Sequence, residues 1–273
     1  MSILPGNAGS LVPFVIFFAL AHLFKAARFY LVLLEQDIPL KSYLFLYART
    51  TLVNLVVPFK LGELYRVAAV YHVTGKGDRT PHGAMSVLSV CVDRFFDTAA
   101  LLSIILPFGL IYGGSIEFAP LMLFLALFIF ALVYLSVPKS YLYLNEYIIM
   151  YRQTRRSVSI LKWLEVIKEW YEFTHGLIKG RAPMIIIASF LGWGAEFMAL
   201  RSFFSMLGKS FAIEDFGRYI NSLLSSVPYS MARAYNSLGT AIIAMMTLVL
   251  FIMWMAEKPG EKGRKNAADP DRI

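Results

Sequence analysis

Long apolar segments limit the folds that this sequence can adopt. Crossing the hydrocarbon core of a bilayer takes about 20 mostly apolar residues. Five stretches approach or exceed that length: 11–34, 84–112, 118–137, 184–207 and 237–255. Over the whole chain 58% of residues are hydrophobic and 16% are charged, against about 45–50% apolar and 25% charged in soluble domains. We therefore predict an all-α integral membrane protein, with a single membrane domain over residues 1–256.

Two further apolar segments are interrupted by proline. Segment 43–73 is cut at Pro58 and Gly62, and segment 211–235 is cut at Pro228. A break at membrane depth survives only where it is buried in protein or lines a wet cavity. We predict that each segment is a re-entrant hairpin of two half-helices. Since a full span precedes and follows each hairpin, the chain has the pattern of an inverted repeat.

Residues 139–181 are the main polar segment. Apolar side chains recur there every three or four residues between Ile160 and Leu177, which predicts an amphipathic helix on the membrane surface, either without a partner or as a docking helix. The tail 257–273 is charged and contains Gly and Pro, which predicts disorder. Placing the basic segment in the cytoplasm gives a multi-pass protein of the cell membrane with a cytoplasmic C-terminus. The Pro58 hairpin then enters from the cytoplasmic side and the Pro228 hairpin from the outer side.

Ionisable residues inside the apolar segments are the strongest functional signal. At roughly 2.5–3.5 kcal/mol each, leaving twelve of them in lipid costs on the order of 30 kcal/mol. They must therefore face one another or a hydrated cavity. Eight are basic and four acidic, and the excess of positive charge suits a phosphate. The twelve are Lys25, Arg28, Arg49, Lys60, Glu63, Arg66, Asp93, Arg94, Asp97, Glu196, Arg201 and Arg233.

The spacing of these charges predicts partial pairing. Glu63 and Arg66 are three residues apart and share a helix face. Asp93 and Asp97 share a face and repel, so Arg94 or a base of the hairpin must lie near them. The alternative is that such pairs only hold helices together. Lys25 and Arg28 either line the cavity or extend to the interface, where Arg49 and Arg201 are also expected.

Other site chemistries find little support. Cys91 is the one cysteine, so a disulfide framework is excluded. The four histidines lie on separate elements, and no nucleophile motif is present. We expect no cofactor, no metal and no enzymatic activity. A net charge of +8 without a soluble basic face favours anionic membrane lipid over nucleic acid as the partner.

Residues 52–97 resemble a known family. Pro58, Lys60, Gly62, Glu63 and Arg66, preceded by Asn54 and followed by Asp93-Arg94-Phe95-Phe96-Asp97, are similar to the paired motifs of the lysylphosphatidylglycerol synthase transmembrane family, also called the flippase-like domain family. Lys60 stands where the family usually has Arg, Asp93 replaces its Glu, and no Glu follows Pro228 where the family often has one. The chain resembles the membrane domain without the soluble aminoacyl transferase found in some members.

The resemblance implies movement of a lipid-linked anion, an aminoacylated phospholipid or a polyprenyl-phosphate carrier, between leaflets. Two alternatives remain: a membrane-embedded lipid-phosphate or glycosyl transferase, and a non-transporting partner of a separate lipid synthase or glycosyltransferase. We assign substrate binding to Lys60, Arg66, Arg94, Asn54, Arg28 and Arg233. Balancing acids that can carry protons are Glu63, Asp93, Asp97 and Glu196. Helix-break and gate residues are Pro58, Gly62, Pro228, Ser225, Ser226, Tyr229 and Asn236.

Overall fold

The computed structural model describes residues 8–57, 61–74, 82–111, 118–151, 155–224 and 229–267. Within these ranges the regular structure is helical, with no strand, which confirms the all-helical part of the prediction. The helices are α1 (Leu11–Leu33), α2 (Leu40–Val56), α3 (Leu61–Thr74), α4 (His82–Ile111), α5 (Phe118–Tyr151), α6 (Arg155–Ile178), α7 (Ala182–Met206), α8 (Ile213–Leu224) and α9 (Ser230–Ala267).

Contacts divide the chain into two compact units, and the single membrane domain over residues 1–256 stays a prediction. The first unit, Met1–Asp37 with Gly77–Tyr229, contains α1 and α4 to α8. The second unit, Ile38–Lys76 with Ser230–Ile273, contains α2, α3 and α9. The chain leaves the first unit at Asp37, whose φ of 48° is left-handed, a conformation that Asp tolerates better than most residues. Pro39 then disfavours helix at the residue before it.

The antiparallel pair of α1 and α7 organises the first unit. The hydroxyls of Ser10 and Ser205 lie 3.0 Å apart at one end of the pair, and Arg28 reaches Ser189 towards the other. Small buried residues at the contact allow the two backbones to approach closely: Ala21, Ala26, Ala188, Gly192 and Ala199.

A hydrophobic core joins four helices of the first unit. Val32 of α1, Val92 of α4, Leu177 of α6 and Ile185 of α7 are its buried members. α6 lies within the segment where we predicted an amphipathic helix, and its place on a membrane surface stays a prediction. Its last turn belongs to the core, because Leu177 is fully buried.

The second unit is built on α2, which packs against both α3 and α9. The Phe45 ring of α2 stacks on the Phe251 ring of α9, with centroids 6.1 Å apart. Asn54 meets Gly62 near the connection between α2 and α3, while Arg49 meets Tyr65 further from it. This pairing shows that α2 and α3 run antiparallel.

Four of the five predicted spans coincide with helices that are long and apolar enough to cross a membrane: Leu11–Gln36, Pro120–Tyr151, Ala182–Met206 and Ser230–Met253. The fifth, α4, has 30 residues and carries Asp93, Arg94 and Asp97 within two turns. Large apolar side chains along α5, such as Phe128 and Leu135, are exposed, as they are in a helix that faces lipid.

Two helices continue beyond the ends that we predicted. The span predicted to end at Val137 continues through Pro138 to Tyr151, because α5 packs on α6. The Tyr141 hydroxyl donates to Glu165 at 2.8 Å, and the rings of Tyr134 and Tyr171 lie 4.9 Å apart.

α9 also differs from the sequence prediction. We predicted that a hairpin ends at residue 235 and that a new span begins at 237, whereas a single helix runs from Ser230 to Ala267. Residues 257–267 are therefore helical rather than disordered. Extending an existing helix gains a hydrogen bond for each residue fixed and needs no new nucleus.

Candidate functional site

Arg28 is the centre of a buried charge cluster in the first unit. Its Nε donates to Asp93 Oδ1 at 2.7 Å and its Nη1 to Asp97 Oδ1 at 2.5 Å. The Arg28 side chain is 2% exposed, and those of Asp93 and Asp97 are 2% and 13% exposed. The position of α1 against α4 thus gives one guanidinium two carboxylate partners, and charge-assisted bonds of this kind are the strong ones.

Arg94 closes the cluster from the other side. Its Nε lies 3.9 Å from Asp93 Oδ2 and its Nη1 lies 3.4 Å from Asp97 Oδ2. The two aspartates are therefore held between two arginines, which removes the repulsion expected from their spacing. The Trp193 indole donates to the Asp97 carbonyl oxygen at 3.1 Å and fixes this turn of α4 to α7.

A second buried pair lies on the same α1–α7 contact. The Lys25 ammonium donates to Glu196 Oε2 at 2.7 Å and lies 5.1 Å from the centroid of the Trp193 ring. The other oxygen of Glu196 accepts the Tyr219 hydroxyl of α8 at 2.9 Å. The Glu196 side chain is 4% exposed, so its charge is satisfied by Lys25 and Tyr219 and not by solvent.

The first-unit cluster is balanced in charge. Lys25, Arg28 and Arg94 face Asp93, Asp97 and Glu196. Arg28 does not extend to an interface, because it is buried between helices. Two carboxylates already accept hydrogen bonds from the Nε and Nη1 of Arg28, and its assignment to substrate binding stays a prediction.

The family motif forms the contact between α2 and α3 in the second unit. Asn54 donates its side-chain amide to Glu63 Oε1, and Glu63 Oε2 lies 3.7 Å from Arg66 Nη1. Gly62 is required by the close approach, since a Cβ there would lie 2.5 Å from Asn54 Cα. Arg66 is 4% exposed. The structure thus brings Asn54, Gly62, Glu63 and Arg66 together as one group.

The remaining predicted residues divide between described and undescribed positions. Pro58, Lys60, Ser225, Ser226 and Pro228 lie outside the described residues.

Tyr229, Arg233 and Asn236 lie in described parts of the chain. The Tyr229 hydroxyl donates to Asp215 at 3.1 Å. Arg233 is exposed on α9, and Asn236 is half-buried one turn later. These three residues belong neither to the charge cluster of the first unit nor to the Asn54–Arg66 group of the second.

Sequence reasoning missed the partners of the buried cations. Arg28 and Asp93 are 65 residues apart and Lys25 and Glu196 are 171 apart, so no local spacing indicates that they meet. One signal was present, because the unbroken segments 11–34, 84–112 and 184–207 together carry three acids beside the basic residues Lys25, Arg28, Arg94 and Arg201. Arg49 was expected at an interface, and the structure places it between two aromatic side chains.

Comparison with known proteins identifies the family. A family model described as the lysylphosphatidylglycerol synthase TM region matches residues 3–214, which include the charge cluster of the first unit and the Asn54–Arg66 group of the second. No curated protein and no solved structure matches the chain. Because the match covers well over half of the 273 residues, this chain is a helical multi-pass membrane protein that belongs to the lysylphosphatidylglycerol synthase transmembrane-region family.

Proposed function

We propose that this protein is a flippase that moves an anionic phospholipid or a polyprenyl-phosphate-linked lipid between leaflets of the cell membrane. Membership in a family of lipid-related membrane domains supports the proposal. A transporter of this kind needs a head-group site in the protein whose net charge stays positive after the protein's own ion pairs are formed.

The distribution of charge is the observation that carries the proposal. The buried cluster of the first unit is neutral, with three basic and three acidic side chains. In contrast, α2 and α3 carry Lys41, Arg49 and Arg66 against the single acid Glu63. Lys60 adds a further basic residue to the segment between them. An excess of basic groups on membrane helices favours an anionic ligand there.

The lengths of α2 and α3 fit half-helices better than spans. With 17 and 14 residues they extend about 26 Å and about 21 Å at 1.5 Å per residue, which is less than the roughly 30 Å hydrocarbon core. We propose that they form a re-entrant hairpin around Pro58 that opens to the cytoplasm. Lys60 and Arg66 then bind the phosphate, and Asn54 and Glu63 orient Arg66.

The inverted repeat remains part of the proposal in an altered form. α1 and α7 would be the equivalent first helices of the two halves, and their antiparallel packing fits this relation. The second hairpin, predicted around Pro228 with its opening to the outside, is kept in the proposal. Because α9 is unbroken, the last span belongs to this one helix, and the proposed C-terminus is cytoplasmic.

The roles of the acids follow from their partners. Asp93, Asp97 and Glu196 are bonded to buried cations, so protonating any of them would loosen a helix contact. We propose that they couple proton uptake to a change in the packing of α1, α4 and α7. Arg94, whose side chain is 35% exposed, is the cation of this cluster that can attract a passing head group.

Leaflet exchange in liposomes tests the function. Purified protein should accelerate the movement of fluorescent phosphatidylglycerol or polyprenyl-phosphate probes, measured by dithionite quenching. Arg66→Ala should abolish exchange while the protein stays folded in detergent, and Lys162→Ala on the exposed surface of α6 should have no effect. Absence of exchange with every probe would favour a transferase or a non-transporting partner of a synthase.

A charge-paired variant separates binding from structure at Arg66. Arg66 and Glu63 are 3.7 Å apart, so Arg66→Ala strands an acid. If the double change Arg66→Ala with Glu63→Gln restores both melting temperature and exchange, Arg66 serves only as the partner of Glu63, and its role in phosphate binding is wrong.

Cysteine labelling tests the proposed topology. In a Cys91→Ala background, single cysteines at Leu40, where α2 begins, and at Thr74, where α3 ends, should both react from the cytoplasmic side. Reaction from opposite sides would mean that α2 and α3 together cross the membrane once, which removes the re-entrant hairpin and the inverted repeat.

A further inference from the structure

Arg49 lies in an unusual setting at the contact between α2 and α3. The central carbon of its guanidinium lies 5.7 Å from the centroid of the Phe45 ring and 5.5 Å from that of the Tyr65 ring. Phe45 is supported in turn by Phe251 of α9. Both distances are within the range of cation–π interactions. The three aromatic side chains thus hold the guanidinium in a defined place within the second unit.

Arg49 also lacks an anionic partner among the described residues, which distinguishes it from comparable side chains. Across the described parts of the chain, the other Lys and Arg side chains that are buried or half-buried at helix contacts lie within 4 Å of a carboxylate: Lys25, Arg28, Arg66, Arg94 and Arg181. Arg49 is partly buried and forms no such pair within the same ranges. Its Nε is buried and has no hydrogen-bond acceptor there.

Aromatic rings cannot complete the bonding of a guanidinium. They attract its positive charge, but they offer no oxygen or nitrogen acceptor for the five N–H groups. A buried N–H without an acceptor is unfavourable and marks a place where an additional group binds. Because the guanidinium is always charged and its donors form a planar fork, the group that fits best is a phosphate, which accepts two parallel hydrogen bonds.

We infer that Arg49 binds the phosphate group of an anionic lipid head group, on the α2–α3 pair that carries the family motif. The inference rests on the proposed function for the source of the phosphate, a lipid rather than a free ion. Arg49 is thereby added to the predicted binding residues; it lies two turns of α2 before Val56. Phe45 and Tyr65 are positioning residues that hold its side chain.

A binding titration tests the inference apart from transport. The full chain in detergent is titrated with dioctanoylphosphatidylglycerol, and the shift of its melting temperature gives an apparent dissociation constant. Parallel titrations use inorganic phosphate and the zwitterionic dioctanoylphosphatidylcholine. Arg49→Gln should weaken binding of the anionic lipid by about tenfold or more, because it removes a charge-assisted pair of hydrogen bonds. Arg49→Lys, which keeps the charge and loses the fork, should give an intermediate loss.

Arg201→Gln is the matched control. Arg201 is an exposed arginine on α7, so its replacement removes the same net charge from the protein without touching the α2–α3 pair. It should bind the anionic lipid with wild-type affinity. An equal loss in Arg201→Gln and Arg49→Gln would show that overall charge, and not the Arg49 site, controls binding, and would overturn the inference.

Three further outcomes would also overturn it. If Arg49→Gln and Arg49→Lys both melt at a lower temperature without lipid but bind lipid with wild-type affinity, Arg49 has a structural role only. If Arg49→Gln does not fold, an unchanged affinity in Arg49→Lys likewise assigns Arg49 a structural role only. If inorganic phosphate raises the melting temperature at the same concentrations as the lipid does, the site binds the free anion and the lipid assignment is wrong.

The titration and the exchange assay fail separately. Wild-type protein that binds lipid through Arg49 but does not move it between leaflets would refute the proposed function and leave the inference intact. If the wild-type protein exchanges lipid and the Arg49→Gln variant both binds and exchanges it equally well, the inference is refuted and the function is left intact.

Discussion

Replacing Arg28 by methionine should strongly destabilise the protein. Arg28 forms ion pairs of 2.7 Å with Asp93 and 2.5 Å with Asp97, and all three side chains are largely buried. Methionine fills part of the volume and contributes no charge, so the two aspartates are left facing Arg94 at 3.9 and 3.4 Å. Removing one partner of a buried pair costs about 3–5 kcal/mol. For a chain of this size that corresponds to a fall in melting temperature on the order of 10 °C.

A double variant separates the loss of charge balance from the loss of packing. Arg28→Met with Asp93→Asn removes one cation and one anion, and Asp97 keeps Arg94. Because a buried ion pair is often replaced by uncharged groups at little cost, we expect the double variant to recover most of the melting temperature lost in Arg28→Met. Intrinsic tryptophan fluorescence is a suitable assay, since the Trp193 indole is bonded to the Asp97 carbonyl.

Two results would refute this reasoning. A double variant as unstable as Arg28→Met would mean that the guanidinium contributes by packing and not by neutralising Asp93. An unchanged melting temperature in Arg28→Met would mean that the charge cluster does not stabilise the first unit. Lys168→Gln serves as a control, because its pairs with Glu165 and Glu172 are on the exposed face of α6 and we expect no measurable change.

Three further predictions concern the remaining contacts. Gly62→Ala should lower the unfolding free energy by about 1–3 kcal/mol because a methyl group has no room there. Gly194→Ala is the control: no heavy atom lies within 4 Å of its added Cβ, so it should be neutral or slightly stabilising. Chemical denaturation measures the unfolding free energy of both variants. Glu196→Gln should destabilise by about 3 kcal/mol by stranding Lys25, and adding Lys25→Met should reverse most of that loss in a thermal melt. Asp97→Asn should change the pH profile of lipid exchange if this acid carries a proton, and an identical profile would assign it to structure alone.

Local contacts were predictable because a helix places residues three and four apart on one face. The pairing of Glu63 with Arg66 and of Arg94 with Asp97 follows from spacing alone, and both pairs are present. The existence of the helices was also readable, because apolar runs of this length have few alternatives. Amphipathic spacing likewise predicted the helix now seen as α6.

Helix ends were less predictable, because tertiary contacts decide them. Pro138 and the polar residues after it indicated an end for α5, yet packing on α6 extends the helix to Tyr151. The same local reasoning placed a break after residue 235, where α9 continues unbroken. A sequence pattern gives the local preference, and a contact of about 1 kcal/mol is enough to override it.

The sequence by itself determined that this chain is a helical membrane protein whose internal charges must be neutralised, because any ionisable residue type is costly in hydrocarbon whatever the fold around it. Which charges neutralise which was decided by the tertiary structure. Arg28 meets Asp93 and Asp97 only because α1 packs beside α4, and Lys25 meets Glu196 only because α1 and α7 run antiparallel. Pairing energy depends on distances of a few ångströms between residues far apart in sequence, and the packing of helices sets those distances.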